Sequence, residues 1–569
     1  MVGPPRLATE RATDHPGPAP PRHIAARLPR WALPQLHVLA VAALAVLAVG
    51  VRHPGHLFTH PFWLDESWVA DSTRAPWGQL RLVTSPTPIG WTVLLRAVPR
   101  WGDAERYRLL PLAFAVAAVV PAWCLGRQLM NPSPAGGAHA PQPEPGRNRQ
   151  RLRWAGWLAP PLAGVAAALA PTAVGFPYLK QYTAEAFVSL LLVALLAWVE
   201  RGWSLRRLAI LAAVAAVSFL VANTAPLITA AMFGGLVLAA LVRRAWSRLG
   251  WLLAAGAGVG VVDGVLYRAF VATGNGAAVE RYWARWYIPS TDWQRAIDVT
   301  VARTVVALER LALGPWPVAL ALILAGMVAL WRAGMPAAAL VVPIAFVEMI
   351  MAGLARRYPY FEGRTSMFLT VLVTVVAAIG LAAVAGLLLR WRWTAALSLA
   401  MLIGIGAVFL PAARQAARRP LLSENTRAQV ELLRNLRRPG DVVVVGSLAA
   451  YQFAYYWPQQ PTFTPAPPST TIRFQITYPS DPTLVVAKER NLGSVRAVMD
   501  RLPPGTRRVW ILLVHEGYLP NWVGQVKRHG GRLLAVPADP CAAFSPFELA
   551  RAGLPSGPCP LLVRFNGPP

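Results

Sequence analysis

Two adjacent carboxylates, Asp65 and Glu66, stand among aromatic residues shortly after the first long apolar segment, 31–51. They therefore lie where a membrane helix gives way to a loop. A carboxylate at that depth loses hydration, which is costly unless the group has a function. Such a carboxylate can accept a proton from an attacking hydroxyl group. The alternative interpretation is a pair of solvated loop charges.

Two later segments mix cationic and aromatic side chains in the same way. Lys180 is the first lysine of an arginine-rich chain, and a second cluster runs from 356 to 364. Cations beside a carboxylate could stabilise a departing phosphate. The alternatives are an interfacial anchor for Lys180 and ordinary helix ends for the arginines. The candidate substrate-binding residues are His60, Tyr178, Lys180, Gln181, Tyr182, Arg281, Arg356, Arg357, Tyr358 and Arg364.

Composition indicates a polytopic membrane protein. Of 569 residues, 55% are hydrophobic and 14% are charged, and several apolar runs approach the ~20 residues that cross a bilayer. A shorter segment, 89–98, is predicted to be an interfacial helix. The eleven predicted spans lie at about 31–51, 109–130, 154–174, 186–199, two short helices within 208–242, 251–271, 315–331, 337–354, 366–389 and 393–410.

Charge predicts the topology. The net charge is +29, carried almost entirely by arginine. The arginines cluster at the ends of apolar runs, which favours anionic lipid over nucleic acid as the partner. Residues 1–30 are predicted to be a disordered basic cytoplasmic tail, which places the candidate residues and 411–569 outside. The arginine bias indicates a GC-rich bacterial genome, and we expect a bacterial cytoplasmic membrane protein.

The C-terminal part, 411–569, is predicted to be a soluble, extracytoplasmic α/β domain. Short apolar strands are expected at 441–446, 508–514, 532–536 and 561–565, with helices at 492–502 and 520–529 and a helix or a loop at 448–456. Cys541 and Cys559 could form a disulfide if this domain is outside the cytoplasm. Cys124, within a span, is expected to pack as a small apolar residue.

Four short motifs carry a resemblance to a known family. They are Trp63-Leu64-Asp65-Glu66, Leu179-Lys180-Gln181-Tyr182-Thr183, the segment from Tyr358-Pro359 to Gly363-Arg364, and Gly440-Asp441-Val442-Val443 with Tyr451, Tyr455 and Tyr456. Together with the predicted topology, they resemble GT-C-type glycosyltransferases, in the branch of the protein O-mannosyltransferases and aminoarabinose transferases. The resemblance covers most of the chain and implies a GT-C-like transmembrane domain, 31–410, with a catalytic first external loop, 53–108.

The resemblance also implies a reaction. Asp65 would be the general base, and Glu66 would hold the acceptor or tune the pKa of Asp65. Donors would be polyprenyl-phosphate sugars, with Lys180 and Arg357 as candidate ligands of the donor phosphate. The acceptor would be a cell-wall glycan, a lipid or a protein, and neither metal nor other cofactor is expected. A second external acidic residue, found in some members of the family, has no obvious counterpart.

Two functions from other classes are the alternatives. A transporter or flippase of lipid-linked sugars would have the same basic and aromatic residues at the entrance to its substrate pathway. It would also need polar residues within its spans. The main ones are Asn223, Asp263 and Glu348, which lie near predicted helix ends. A structural scaffold organised by the C-terminal domain would leave a buried charge at Asp65 unexplained.

Overall fold

The computed structural model describes the chain in eleven stretches: 32–84, 87–98, 104–130, 147–175, 179–272, 276–388, 394–418, 426–489, 491–514, 519–534 and 561–565. Tyr178, Cys541, Cys559 and residues 1–30 lie outside these stretches. What the sequence predicts for them stays a prediction.

The first nineteen helices form the membrane part of the protein. Helices α1 to α10 are Ala32–Val51, Pro54–Thr59, Leu64–Ser72, Leu80–Val83, Ile89–Ala97, Leu109–Ala117, Val119–Arg127, Arg147–Leu169, Pro171–Gly175 and Tyr182–Arg201. Helices α11 to α19 are Leu205–Ser218, Ala225–Val242, Trp246–Leu266, Gly276–Trp283, Trp293–Glu309, Trp316–Arg332, Pro336–Leu354, Met367–Leu388 and Thr394–Arg418. Each of the eleven predicted spans therefore coincides with helical structure.

Within the described stretches, seven helical segments are long and apolar enough to cross a membrane. They are Glu105–Arg127, Gly156–Gly175, Tyr182–Arg201, Ala225–Val242, Trp246–Val271, Pro336–Leu354 and Met367–Leu387. Gln35–Val51 and Trp316–Arg332 are shorter apolar helices. The protein is membrane-embedded, as its composition predicts. Cys124 differs from its prediction, because it is a free cysteine exposed on α7 and not a packed one.

Helix α18 is the centre of the bundle and packs against α8, α10 and α16. Close approach to α16 depends on two glycines. A Cβ atom at Gly326 would collide with the carbonyl of Val376, and one at Gly380 would collide with the carbonyl of Leu322. Small residues at crossing points let helix backbones touch, which is a common way to stabilise helix pairs in lipid.

The C-terminal part is an α/β region, as predicted. Its strands β1 to β7 are Val442–Val445, Thr462–Pro465, Phe474–Thr477, Leu484–Val486, Arg508–Leu512, Gly531–Leu534 and Leu561–Phe565, and its helices α20 to α23 are Thr426–Leu436, Ala449–Tyr456, Leu492–Met499 and Leu519–Arg528. One sheet has the order β4-β1-β5-β7-β6, and β2 pairs with β3 as a separate hairpin. Strands β4, β1 and β5 are parallel, whereas β7 is antiparallel to both neighbours.

The α/β region docks on the segment around helix α3, which carries Asp65 and Glu66. The Tyr456 hydroxyl, at the end of α21, accepts a hydrogen bond from the backbone N–H of Phe62 (2.7 Å), and the Phe62 and Tyr455 rings lie 5.1 Å apart. Arg74, just after α3, donates to the carbonyl of Ala454 (2.6 Å). Helix α21 therefore holds both ends of the segment that contains the acidic pair.

Candidate functional site

Asp65 forms ion pairs with two cations from distant parts of the sequence. Its Oδ2 atom accepts a hydrogen bond from Lys180 Nζ (2.8 Å) and another from Arg364 Nη1 (3.1 Å). The three side chains are only 11–19% exposed. The structure thus brings together one predicted residue from each of the three charged and aromatic segments.

The pKa of Asp65 reflects two opposing effects. Burial raises it by desolvating the carboxylate, but the charges of Lys180 and Arg364 outweigh burial and leave the pKa below its ordinary value. The pKa of Lys180 is lowered, because burial and the positive charge of Arg364 outweigh the attraction of Asp65. Lys180 also lies over the ring of Trp68, with Nζ 5.0 Å from the ring centroid.

Glu66 has different partners, although it is the next residue along α3. It is fully buried, and Arg108 Nε donates to its Oε1 atom (2.8 Å). The Arg108 guanidinium also donates to the carbonyls of Leu57 (2.6 Å) and His60 (2.7 Å). Glu66 and Arg108 therefore tie the loop before α3 to the start of α6.

Glu66 also fixes the segment that carries Lys180. The backbone N–H of Leu179 donates to Glu66 Oε1 (3.0 Å), and the carbonyl of Leu179 accepts from the indole N–H of Trp91 (2.9 Å). Trp91 lies on α5, the helix that the sequence predicts to be interfacial. These two bonds hold the backbone beside Lys180, so they determine where its side chain can reach.

Glu362 is an acidic residue at the site that the sequence argument did not select. Its Oε1 atom accepts from Arg364 Nε (3.0 Å), and its Oε2 atom accepts from the backbone N–H groups of Arg364 (3.0 Å) and Thr365 (2.9 Å). Glu362 thereby orients the Arg364 side chain toward Asp65. Glu362 lies within the 356–364 segment. Its position beside a basic cluster is the sequence feature that could have identified it as a site residue.

Asp65, Lys180, Glu362 and Arg364 line a cavity of about 880 Å³ between the helical bundle and the α/β region. The bundle side is lined by Trp63, Leu64, Asp65, Trp68, Lys180, Tyr182, Val279, Tyr282, Trp283, Glu362 and Arg364. The other side is lined by residues that follow β1 and β4, by the connection between β2 and β3 and by β3 itself, among them Ser447, Tyr451, Ser469, Gln475, Lys488, Glu489 and Asn491. The cavity lining combines charged, aromatic and hydroxyl-bearing side chains.

Tyr182, Gln181 and His60 differ in their relation to this cavity. Tyr182 is largely buried and lines it. Gln181 is the residue before α10, and its side chain is hydrogen-bonded to Glu185. His60 contributes its carbonyl to Arg108. Neither Gln181 nor His60 lines the cavity.

Four other predicted residues lie away from the cavity lining. Arg356 pairs with Glu280 (3.1 Å) through half-exposed side chains, and Arg281 and Arg357 are exposed. The Tyr358 hydroxyl donates to the carbonyl of Thr365 (2.8 Å), so this side chain supports the loop that carries Arg364. The described arginine that reaches Asp65 is thus Arg364 and not Arg357.

Several aromatic residues at the cavity were missed as site residues. Trp63 and Trp68 flank the acidic pair, and Tyr282 and Trp283 come from α14. The alternation of charged and aromatic residues near 280–287 pointed to this segment, but Arg281 was selected from it. The residue types in α14 do not show which face of this helix lines the cavity, because the cavity is formed together with the α/β region.

No group of three or more His, Cys, Asp and Glu side chains that could hold a metal ion occurs within the described stretches. A scan against protein-family models finds no match, and a search of curated proteins finds none either.

Solved structures of the oligosaccharyltransferase of Archaeoglobus fulgidus are similar in overall fold. A crystal structure with Zn and sulfate has 12% sequence identity and a TM-score of 0.47, over 88% of this chain and 72% of that chain. A complex with an inhibitory peptide and a dolichol-phosphate has 13% identity and the same TM-score, over 89% of this chain and 74% of that chain. At this level of similarity, the comparison carries no statement about the chemistry of this chain.

Proposed function

We propose that the protein is a GT-C-type glycosyltransferase that transfers a sugar from a polyprenyl-phosphate donor to a hydroxyl group of an extracytoplasmic acceptor. The single observation that carries this proposal is a carboxylate, Asp65, shared between Lys180 and Arg364 in the lining of a large cavity. A base beside two cations matches a reaction in which a hydroxyl loses its proton while a phosphate departs.

The chemical step uses both kinds of charge. Asp65 accepts the proton of the acceptor hydroxyl, whose oxygen forms a bond to the anomeric carbon of the donor sugar. The bond between that carbon and the phosphate oxygen breaks, and its electron pair leaves with polyprenyl phosphate. Lys180 and Arg364 stabilise the negative charge on the departing phosphate.

The ion pairs imply an order of binding. Without donor, Lys180 and Arg364 hold the pKa of Asp65 low, which makes it a weak base. A donor phosphate would compete for the same two cations and add a negative charge nearby. Both effects raise the pKa of Asp65, so the carboxylate becomes a stronger base once the donor is bound. We therefore propose that the donor binds before the acceptor reacts.

The location of the site also supports this function. The cavity lies at the end of the bundle that meets the α/β region, next to apolar helices that are long enough to span a membrane. A polyprenyl chain can stay in lipid while its phosphate reaches Lys180. From the arginine distribution, we propose that this end faces the outside of a bacterial cytoplasmic membrane.

Glu66 is proposed to be a positioning residue in this account. Its carboxylate is bound to Arg108 and to the backbone of Leu179. Glu66 therefore positions Lys180 next to Asp65, and Asp65 is the carboxylate that contacts the acceptor.

The test measures release of polyprenyl phosphate from a mixed pool of polyprenyl-phosphate sugars in membranes that contain the protein. We expect release by the wild type and by Asp298→Asn, which changes an exposed acid on α15. Asp65→Asn, at equal expression, should lose release about 10²- to 10⁴-fold, the usual contribution of a general base. Equal release by Asp65→Asn would remove Asp65 from the mechanism. Lipid movement between leaflets without release would support the transporter instead.

A further inference from the structure

The α/β side of the cavity carries a polar cluster that the transfer step does not use. Glu489 lies three residues after β4, and both of its carboxylate oxygens accept hydrogen bonds. Ser469 donates to Oε1 (2.9 Å), and the Asn491 side-chain amide donates to Oε2. Ser469 comes from the connection between β2 and β3, so two separate loops meet at this carboxylate. All three residues line the cavity.

The cluster is fixed by the start of α22. Asn491 accepts a hydrogen bond from the backbone N–H of Ser494 (2.7 Å), which caps this helix. The Ser494 hydroxyl accepts from the backbone N–H groups of Lys488 and Glu489 (3.0 Å each). Since a carboxylate has about four acceptor positions, Glu489 retains positions for further donors after its bonds to Ser469 and Asn491.

Aromatic rings complete the walls between this cluster and Asp65. Tyr282 and Trp283 meet edge to face with ring centroids 4.7 Å apart, and Trp63 lines the bundle side. Flat apolar surfaces next to fixed hydroxyl, amide and carboxylate groups suit a sugar ring, which has apolar faces and a rim of hydroxyls. The volume, near the upper end of the ~300–1,000 Å³ range of ligand pockets, leaves space beyond the donor group.

We propose that the α/β side of the cavity is the acceptor subsite and that it binds a neutral carbohydrate. Glu489, held by Ser469 and Asn491, accepts hydrogen bonds from the acceptor's hydroxyls while Trp283 packs against a ring. An anionic group would be repelled at Glu489, because the hydrogen-bond partners of this carboxylate, Ser469 and Asn491, are neutral. A peptide strand that paired with β4, the edge strand of the five-stranded sheet, would have only three residues to bond. This inference rests on the proposed function, because it assigns the acceptor class of the same cavity.

The test is equilibrium binding of fluorescently labelled, short neutral oligosaccharides of glucose, mannose or arabinose to the purified full-length protein, without donor. We expect saturable binding of at least one probe. Glu489→Gln should weaken it about tenfold, or about 1.4 kcal/mol, and Trp283→Ala should also weaken it. Asp500→Asn is the matched control, since its carboxylate belongs to the same region but is 68% exposed and outside the cavity lining.

The outcomes separate this inference from the proposed function. Retained oligosaccharide binding by Asp65→Asn supports a subsite that is distinct from the base. Oligosaccharide binding without any polyprenyl-phosphate release would support the carbohydrate site but contradict the proposed transfer reaction. The inference is overturned if no probe binds the wild type, if Glu489→Gln binds as tightly as Asp500→Asn, or if a serine- and threonine-rich peptide binds in place of the sugars.

Discussion

Asp65 and Glu66 are neighbours in the chain but have separate roles in the structure. Successive residues of a helix point about 100° apart, so Asp65 faces the cavity while Glu66 faces the buried Arg108. The sequence shows that an acidic pair stands at a membrane boundary. It does not show which carboxylate is buried, because Arg108 lies 42 residues away and is one of many arginines at helix ends.

Glu66→Gln is predicted to destabilise the protein more than Asp65→Asn does. The substitution leaves the Arg108 guanidinium buried without a charged partner, which typically costs about 3–5 kcal/mol. Asp65 is partly exposed, so its loss should mainly affect activity. The check is thermal unfolding of both variants in detergent. A Glu66→Gln variant as stable as the wild type would contradict the role assigned to this carboxylate.

The two pKa shifts predict the pH profile of kcat/KM. In the free enzyme the pKa of Asp65 lies below its ordinary value of 3.8, so this carboxylate stays ionised well into the acidic range and its ion pairs break only as pH falls through that lowered pKa. The pKa of Lys180 lies below its ordinary value of 10.5. Loss of the Lys180 charge should therefore cause kcat/KM to fall at a pH below the usual range of a lysine. Lys180→Arg should move this fall in kcat/KM to higher pH. A fall at an unchanged pH would show that another group controls it.

At the scale of elements, helices were easier to predict than short strands. The helices at the eleven predicted spans, seven of which are long and apolar enough to cross a membrane within the described stretches, and the strands β1, β5, β6 and β7 follow from apolar runs of distinctive length and period. The hairpin Thr462–Pro465 with Phe474–Thr477 was missed, because its strands have four residues each and one contains proline. Helix α20 was missed as well, although Val430 and Leu433 are buried one turn apart.

The contact between α16 and α18 is predicted to tolerate no added side chain at Gly380. Gly380→Ala places a methyl group against the carbonyl of Leu322, and overpacking of this kind costs about 1–3 kcal/mol. Gly264→Ala, in a helix position with open space around it, is the control and should be neutral or slightly stabilising. Thermal unfolding compares the two. Equal stability of the two variants would mean that α16 and α18 can move apart without loss of stability, which would contradict the prediction.

The junction of α3 with α21 contains a buried carboxylate, Asp71. Neither of its oxygens has a hydrogen-bond partner within the described stretches, and its nearest cation, Arg74, is 3.8 Å away. Burial raises the pKa of Asp71 well above its ordinary value, and Arg74 opposes this only in part. A raised pKa means that the contribution of Asp71 to stability is full at low pH and is lost as pH rises through the folded-state pKa.

Asp71→Asn should therefore raise the free energy of unfolding near pH 7 by about 1–2 kcal/mol, because the variant lacks a carboxyl group that ionises freely in the unfolded chain but is buried without hydrogen-bond partners in the folded protein. The gain should shrink as pH falls toward the ordinary pKa of an aspartate, because the carboxyl group then becomes protonated in the unfolded chain as well. Melting curves of the variant and the wild type at several pH values provide the check. A stability difference that grows toward low pH would contradict the assignment.

At the scale of the whole molecule, the site exists only where the two parts meet. The motifs indicated that Asp65, Lys180 and the 356–364 segment lie on one side of the membrane, and the structure joins them at distances of 2.8 and 3.1 Å. The wall formed by Ser469, Glu489 and Asn491 could not be predicted in the same way. Its residues belong to short loops whose position depends on how the α/β region docks on α3.

The measurement that tests the central claim most directly is the rate of polyprenyl-phosphate release by the wild type and by Asp65→Asn and Lys180→Ala in the same membranes. We expect release by the wild type, a loss of about 10²-fold or more when the base is removed, and a large loss when Lys180 no longer stabilises the phosphate. Wild-type release that survives both substitutions would contradict the assignment of this carboxylate and cation pair as the reacting site.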